Sequence, residues 1–530
     1  MLDHRIEFSH SVSDMFGPIH LSVFLLLVAL PLLLPAGEPT SDTTQIVDLD
    51  QSGAVQLAVA KNLSIQAGLI PPAIASEAIR VEAGVFDPLL DLQFNKTELN
   101  NAVSSDPLTP ANPSKVRIDE YSGAIRGQLP WGGTYDLGID LQNRRSTIDR
   151  FRDEYSATVG AGLTLPILQG FGTDVNLAPI RIARRQAASS QWEFRQVLID
   201  TITDTIVAYN NLYFSQEGLK VAVRSQALAQ QLLEDNIRRA EIGVMSPLDI
   251  TTARAEVASR EEEILVARRA VRDNENLLKQ LVTGEVEQIL TLTLNISPPA
   301  LSVPLVREVR LAFRKAIELR PDYRQALLEL ENNRIRLVVD QNAVLPTLDL
   351  VASYGLNGLD TSLDQTFEQI TKADFASWAV GVNFSMPIPN RTATSQRRIS
   401  ELSIEESLLL IKRLEQTILV ELDNDLGEIE TARERIEASR VATMLAAESL
   451  QAEQEKLRAG SSTTFNVLEL QRNLAEAQAD QLRALLDYNN AVAEFHQSAG
   501  LTLQANDVAL GAEAAAEAPR PEIIRRPDNF

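Results

Sequence analysis

The chain carries nearly the same helical turn twice, about 217 residues apart. The first copy reads Arg238-Arg239-Ala240-Glu241-Ile242-Gly243-Val244-Met245-Ser246-Pro247-Leu248-Asp249-Ile250, and the second reads Glu455-Lys456-Leu457-Arg458-Ala459-Gly460-Ser461-Ser462-Thr463-Thr464-Phe465-Asn466-Val467. In each, a long helical pattern stops at a glycine, and a hydroxyl residue three positions later opens another helix. Glycine supplies the left-handed residue that ends a helix, and a following Ser or Thr caps the next one. Each copy therefore reads as the tip of a long antiparallel helical hairpin. A duplication on this scale constrains architecture more than any local propensity does.

The order of elements around each tip repeats as well. After a helical stretch from Ala54, expected to break at Pro71-Pro72 and to resume as a shorter one over Ala73–Ala83, the pattern changes to period two: Leu90, Leu92 and Phe94; Ile125 and Leu129; Tyr135, Leu137, Ile139 and Leu141; Ala157, Val159, Ala161, Leu163 and Leu165. Alternation between glycine-rich turns predicts β-strands over 86–166. The run Leu165-Pro166-Ile167-Leu168-Gln169-Gly170-Phe171-Gly172 ends the strands as an elbow into a helical hairpin over 174–283. Its first helix, about 68 residues, would be about 100 Å long at 1.5 Å per residue. The second half gives a helix, strands over 346–387, Phe384-Ser385-Met386-Pro387 at their end, and a hairpin over 391–500. The repeats are accordingly placed at 54–284 and 305–504, with linkers at 37–53 and 285–304 and a disordered tail at 505–530. Proline to proline, the strand region spans about 78 residues in the first half and about 41 in the second. The surplus of roughly 37 residues suits one extra hairpin, expected around Trp131-Gly132-Gly133.

Seven-residue spacing recurs in the long helices: Ile404, Ile411 and Ile418; Leu422, Ile429 and Ile436; Leu468, Ala475 and Leu482; Ala479, Leu486 and Ala493. This is coiled-coil spacing, interrupted by polar residues such as Asp425 and Asn489. Aromatic content of 5% suits helical rods better than a compact enzyme. A net charge of -23 argues against nucleic acid, whose phosphates need a basic face. The chain has no cysteine, which excludes disulfides, thiolate nucleophiles and an N-terminal lipidated cysteine. The apolar run at 21–34 is short for a membrane span and suits the core of an export signal over 1–36. A cleaved signal is the expectation, over a short buried helix or an uncleaved anchor.

This order resembles the TolC-like outer-membrane efflux proteins. The resemblance rests on the strand endings Leu165-Pro166-Ile167-Leu168 and Met386-Pro387-Ile388, on Val207-Ala208-Tyr209-Asn210-Asn211-Leu212, and on the two tips, and covers about 55–501. It implies a mainly α protein with a membrane β-barrel part. Duplicated strand–long-hairpin units would build a homotrimeric α-helical tunnel in the periplasm, capped by a shared outer-membrane barrel with four strands per protomer. Under it the chain is the exit duct of a tripartite efflux pump or a type I secretion system, with outer-membrane lipid, a periplasmic adaptor and an inner-membrane transporter as partners. The extra hairpin departs from four strands; it either forms a ribbon outside the barrel or widens it, and the ribbon is the expectation.

The resemblance also places adaptor contact and gating at the tips: Gly243, Ser246 and Asp249 in the first, Arg458, Gly460, Thr463, Asn466 and Glu469 in the second. Family members often carry two acids in the second tip; here Asn466 is neutral and Glu469 remains. Ser462 stands where some members have a basic partner for the acid matching Asp249, so that link is absent or replaced by Arg458. The plain alternative is that Ser246 and Thr463 are helix caps, and that Asp249 and Glu469 are charges favoured near a helix start.

Catalytic, cofactor and metal sites are not expected. His4, His10 and His20 fall in the signal region and only His496 lies beyond it, so neither a catalytic triad nor a histidine metal cluster can be assembled. Gly170-Phe171-Gly172 lacks the third glycine and the strand–helix–strand setting of a phosphate loop. The alternative of another class is a non-channel periplasmic coiled-coil scaffold.

Overall fold

Local signals divide the chain into strands and long helices, and the computed structural model places residues 45–101, 114–147 and 151–508. The expected signal, the loop marked by Pro107, Pro110 and Pro113, and residues 509–530 of the expected tail lie outside the described residues. Strand β1 (Gln45–Leu49) is followed by α1 (Gln51–Lys61), capped by the Asp50 carboxylate, which accepts from the Gly53 N–H at 2.9 Å. The helix stops at Asn62, whose side chain caps α2 (Leu63–Gly68); α3 (Ile70–Ala83) follows. The expected break before a second helical stretch falls at Leu69, and Pro71 and Pro72 occupy the first turn of α3. A missing N–H is harmless there, since first-turn amides have no partner within the helix.

Four strands come next: β2 (Leu89–Asn101), β3 (Ser114–Gln128), β4 (Thr134–Ser146) and β5 (Glu154–Pro166). Gly170 and Gly172, both at positive φ (83° and 103°), turn the chain through an elbow into α4 (Thr173–Asn176) and the 64-residue α5 (Ala178–Glu241). Helix α6 (Pro247–Val282) returns alongside it, followed by α7 (Val286–Thr291) and β6 (Leu292–Ile296). The second half runs through α8 (Val309–Leu319), α9 (Pro321–Ala343), β7 (Thr347–Asp360), α10 (Leu363–Lys372) and β8 (Phe375–Ser385). It ends with the 68-residue α11 (Arg391–Arg458), α12 (Thr464–Ser498) and α13 (Thr502–Ala505).

Both stretches expected as linkers hold strand. β1 pairs in parallel with β6, Val47 opposite Leu294. Partners so far apart, each only five residues long, leave no periodic trace in the sequence. Tyr209, fully buried on α5, pins this small sheet: its hydroxyl donates to the carbonyls of Leu49 (3.0 Å) and Ser297 (2.7 Å). The expected tail also begins late, because the Val508 N–H donates to the Leu503 carbonyl and Val508 packs on a buried cluster.

The other six strands form one antiparallel sheet in the order β2-β3-β4-β5-β7-β8. The hairpin around Trp131 is therefore not a detached ribbon. β3 pairs with β2 from Leu89↔Arg126 to Asn101↔Ser114 and with β4 from Val116↔Ser146 to Gln128↔Thr134. Its turn is clamped to the elbow: the Gly172 N–H donates to the Trp131 carbonyl (3.0 Å), and Asn176 Nδ2 bridges the Gly170 and Gly172 carbonyls (2.7 and 2.8 Å). Backbone pairing along the whole hairpin outweighs anything a free ribbon would offer.

The two heptad rows of α11 face the core, whereas Ala479 at the head of an α12 row is exposed. Ile411, Ile418, Leu422 and Ile429 of α11 are buried against Ala312 and Ala316 of α8 and Tyr488, Val492 and Phe495 of α12. Asn489, which interrupts a row, accepts from the Ser302 N–H at 3.1 Å where the connecting segment crosses the bundle. Among the described residues no helix is long and apolar enough to cross a membrane.

Candidate functional site

The register of the sheet sorts its side chains onto two unlike faces. One face carries Leu90–Ile125–Leu137–Ala161–Tyr354–Trp378 as one cross-strand row and Leu92–Gly123–Ile139–Val159–Leu356–Ala376 as the next. Its large apolar side chains are mostly in the open: Leu92 is 77% exposed and Trp378 75%. The face ends at the Phe94–Tyr121 pair, ring centroids 4.8 Å apart; beyond it come Lys96, Asp119 and Arg145, joined by ion pairs of 3.5–3.6 Å. On β5 the apolar run from Leu165 to Ala157 covers about 27 Å along the strand. The opposite face carries Gln93–Ser122–Asp140–Thr158–Asn357 and Asn95–Glu120–Gln142–Ser156. Helix α10 lies over the rim of the apolar face. Gly358 sits under the Thr366 carbonyl with no room for a Cβ, and Ala157 is buried nearby.

The far ends of the long helices form the second feature. Gly243 (φ 82°) and Gly460 (φ 77°) close α5 and α11 with the same pair of hydrogen bonds. Gly243 N–H donates to Ala240 and Val244 N–H to Arg239; Gly460 N–H donates to Leu457 and Ser461 N–H to Lys456. This double closure satisfies carbonyls that a helix end leaves open. Ser246 and Asp249 form a reciprocal capping box at the start of α6, and Thr463 accepts from the Asn466 N–H at the start of α12. The two tips lie level, tied by Arg239 Nη1 to the Leu457 carbonyl (2.9 Å) and by buried Asn236 Nδ2 to Thr464 Oγ1 (3.2 Å).

Of the residues expected at the tips, the structure gathers Thr463 and Asn466 into one cluster. Asn466 Nδ2 and the Ser462 hydroxyl both reach Glu453 Oε1, at 3.5 and 2.5 Å. The Ser462 hydrogen bond, and after it Lys456, holds the Glu453 carboxyl below its ordinary value. Asp249 and Arg458 are not brought together within the chain. The Asp249 carboxylate accepts from the Ser246 N–H (3.3 Å), and Arg458 is exposed with no carboxylate partner among the described residues. Glu469 stands exposed on α12.

A buried ion cluster farther along the hairpins has no counterpart in the expectations. Glu256 on α6 pairs with Arg260 (2.8 Å) and, across to α12, with Arg472 (2.6 Å); Arg260 also holds Glu263 (2.8 Å). Burial raises the Glu256 pKa, but hydrogen bonds and charge from Arg472 and Arg260 more than offset it and leave it below the ordinary value. The Glu256/Arg260 spacing is visible as an i,i+4 pair, whereas the Arg472 partner 216 residues away is not. Among the described residues no group of His, Cys, Asp or Glu is placed to hold a metal.

An edge-open sheet that is apolar on one face and polar on the other, continued through elbows into long level hairpins, defines a channel protein of the outer membrane. Only a closed sheet satisfies its backbone in lipid, and its polar face then lines water. Residues 133–284 and 312–501 match the family model for outer membrane efflux proteins, and the chain belongs to that family. It is 22% identical over 382 residues to the outer membrane efflux protein BepC of Brucella suis, covering 71% of this chain and 78% of that one. With the outer membrane protein TolC of Escherichia coli it shares 23% identity over 295 residues, 54% of this chain and 58% of TolC. The crystal structure of the CmeC outer membrane channel of Campylobacter jejuni superposes with a TM-score of 0.60 at 16% identity, covering 85% of this chain and 86% of that one.

Proposed function

We infer that the chain is the exit duct of a tripartite efflux pump and works as a homotrimer. A periplasmic adaptor meets the helical tips, and an inner-membrane transporter supplies the energy. In this reading the protein carries no chemistry of its own and acts as a gated conduit. The observation that carries it is the junction of the two-faced sheet to two hairpins whose tips are level: one end suits lipid outside and water inside, and the other offers a flat ring of tips to a partner. The apolar face with Leu92 and Trp378 in the open speaks against a water-soluble coiled-coil scaffold.

The test is to extract the full chain from the outer-membrane fraction of a Gram-negative host with detergent and image it by electron microscopy. Three-fold particles with a rod of about 100 Å are expected. A monomer or dimer that stays soluble without detergent would overturn the reading.

A further inference from the structure

Strands β2 and β3 lie outside the residues that match the family, which begin at residue 133, just before β4. They nevertheless continue the wall without interruption. Leu90, Leu92 and Phe94 on β2 and Tyr121 and Ile125 on β3 extend the apolar rows; Gln93, Asn95, Glu120 and Ser122 extend the polar ones. A hairpin lying free in water has no use for an exposed Leu90–Leu92–Phe94 stripe, and a lone two-stranded ribbon is marginal in water.

We propose that β2 of one protomer pairs with β8 of the next, so that three copies close an eighteen-stranded barrel. Four strands per protomer would close one of twelve. The proposal rests on the trimeric-channel reading above and names a second copy of this chain as the partner of both free edges. β2 and β8 are the unpaired edges of the sheet, 13 and 11 residues long, and both carry apolar residues on the lipid face. Unpaired amides and carbonyls at that depth must find partners, and six strands are too few to close alone. Direction fits as well. The six strands alternate, so β2 and β8 run oppositely, and rotation about an axis along the barrel brings β8 of one copy antiparallel to β2 of the next. The added pair enters after α3 and leaves through the Trp131 turn, both at the helical end. The elbows that feed the tunnel come from β5 and β8 and are the same with or without it. Barrel diameter grows roughly linearly with strand number, so the mouth would be about one and a half times as wide as a twelve-stranded one.

The absence of cysteine makes a clean test possible. Ser377→Cys on β8 is combined with single cysteines scanned over residues 89–95 of β2 and, in a separate series, over 134–140 of β4. The purified trimers are oxidised with copper phenanthroline. Disulfide-linked dimers and trimers are expected only in the β2 series, and there at positions such as 91, 93 and 95 that share the face of Ser377, not at 90, 92 and 94. Cross-linking in the β4 series instead would place β2–β3 outside the wall and overturn the proposal. Strands counted in a cross-section of the unmodified particle by electron cryomicroscopy decide independently: eighteen supports it, and twelve in an intact trimer sinks it. A sample that forms no trimer fails the channel reading itself, a different result from a trimer with a narrow barrel.

Discussion

Tyr209 and His496 are single residues on which the junction of the long helices depends. Tyr209 is fully buried, and its hydroxyl is the donor to two carbonyls that end the small parallel sheet; burial pushes its pKa up to about 12, so it stays protonated. Tyr209→Phe keeps the ring and removes the donor. Leaving buried acceptors short of a partner costs about 1–3 kcal/mol, and thermal unfolding of the purified protein should fall accordingly, with Tyr209→Leu falling further. His496 works as an acceptor: its Nε2 takes the Leu305 N–H at 3.2 Å, and burial depresses its pKa from 6.5 to about 4. The folded state thus holds His496 neutral while the unfolded chain takes up a proton below pH 6.5. The contribution is fully present above that value and is lost as pH falls toward 4, at about 1.4 kcal/mol per unit, before levelling off. His496→Gln, which can still accept through Oε1, should flatten the melting-temperature profile between pH 6.5 and 4; an unchanged slope would assign acid sensitivity to other groups.

At the scale of elements, the α6–α12 seam is held by Glu256, which pairs with two guanidiniums. Glu256→Gln leaves Arg260 buried with only Glu263 and releases Arg472, which is 56% exposed and so partly screened. About 3 kcal/mol of loosening is expected, the low end for breaking a buried pair. In planar bilayers the variant should open more often at rest than the parent, and an identical resting conductance would make the seam purely structural. The crossing of this seam from Glu256 to Arg472 was not legible beforehand, because partners 216 residues apart share no local pattern. The hairpins themselves were legible. Gly243 and Gly460 with Ser246 and Thr463 are local signals for a helix end and a helix start: α5 ends at Glu241 and α11 at Arg458, each just before its glycine, and α6 opens directly after Ser246. Period-two alternation exposed the strands of the large sheet but not their partners, so the Trp131 hairpin was read as a ribbon; β1 and β6, five residues each, show no period and were read as linkers. Pro71 and Pro72 mark the start of α3 to within a few residues, since proline opens a helix as readily as it ends one, whereas the earlier stop at Asn62 went unread. At the tips, Ser246, Asp249 and Thr463 are accounted for by capping, whereas Glu453 entered only through its contacts with Ser462 and Asn466.

For the whole molecule, the proposed threefold assembly would multiply every tip residue into a ring. Asn466 is neutral and engaged with Glu453, so exposed Glu469 is the acid of this pair left to set the sign of the ring. Three carboxylates around one axis attract cations. Glu469→Gln should move the cation-over-anion permeability ratio in planar bilayers toward unity, and an unchanged ratio would remove Glu469 from the constriction. The level tips have a further consequence. Arg239 meets Leu457 and Asn236 meets Thr464 only while α5 and α11 descend to the same depth, and each returning helix must climb back to a fixed junction. Seven residues inserted in α5 alone would carry its tip about 10 Å past its neighbour and strand both contacts. Such a rod can lengthen or shorten only by matched insertions in all four helices, so the gap it spans is a quantity that evolution can adjust in whole heptads and not residue by residue.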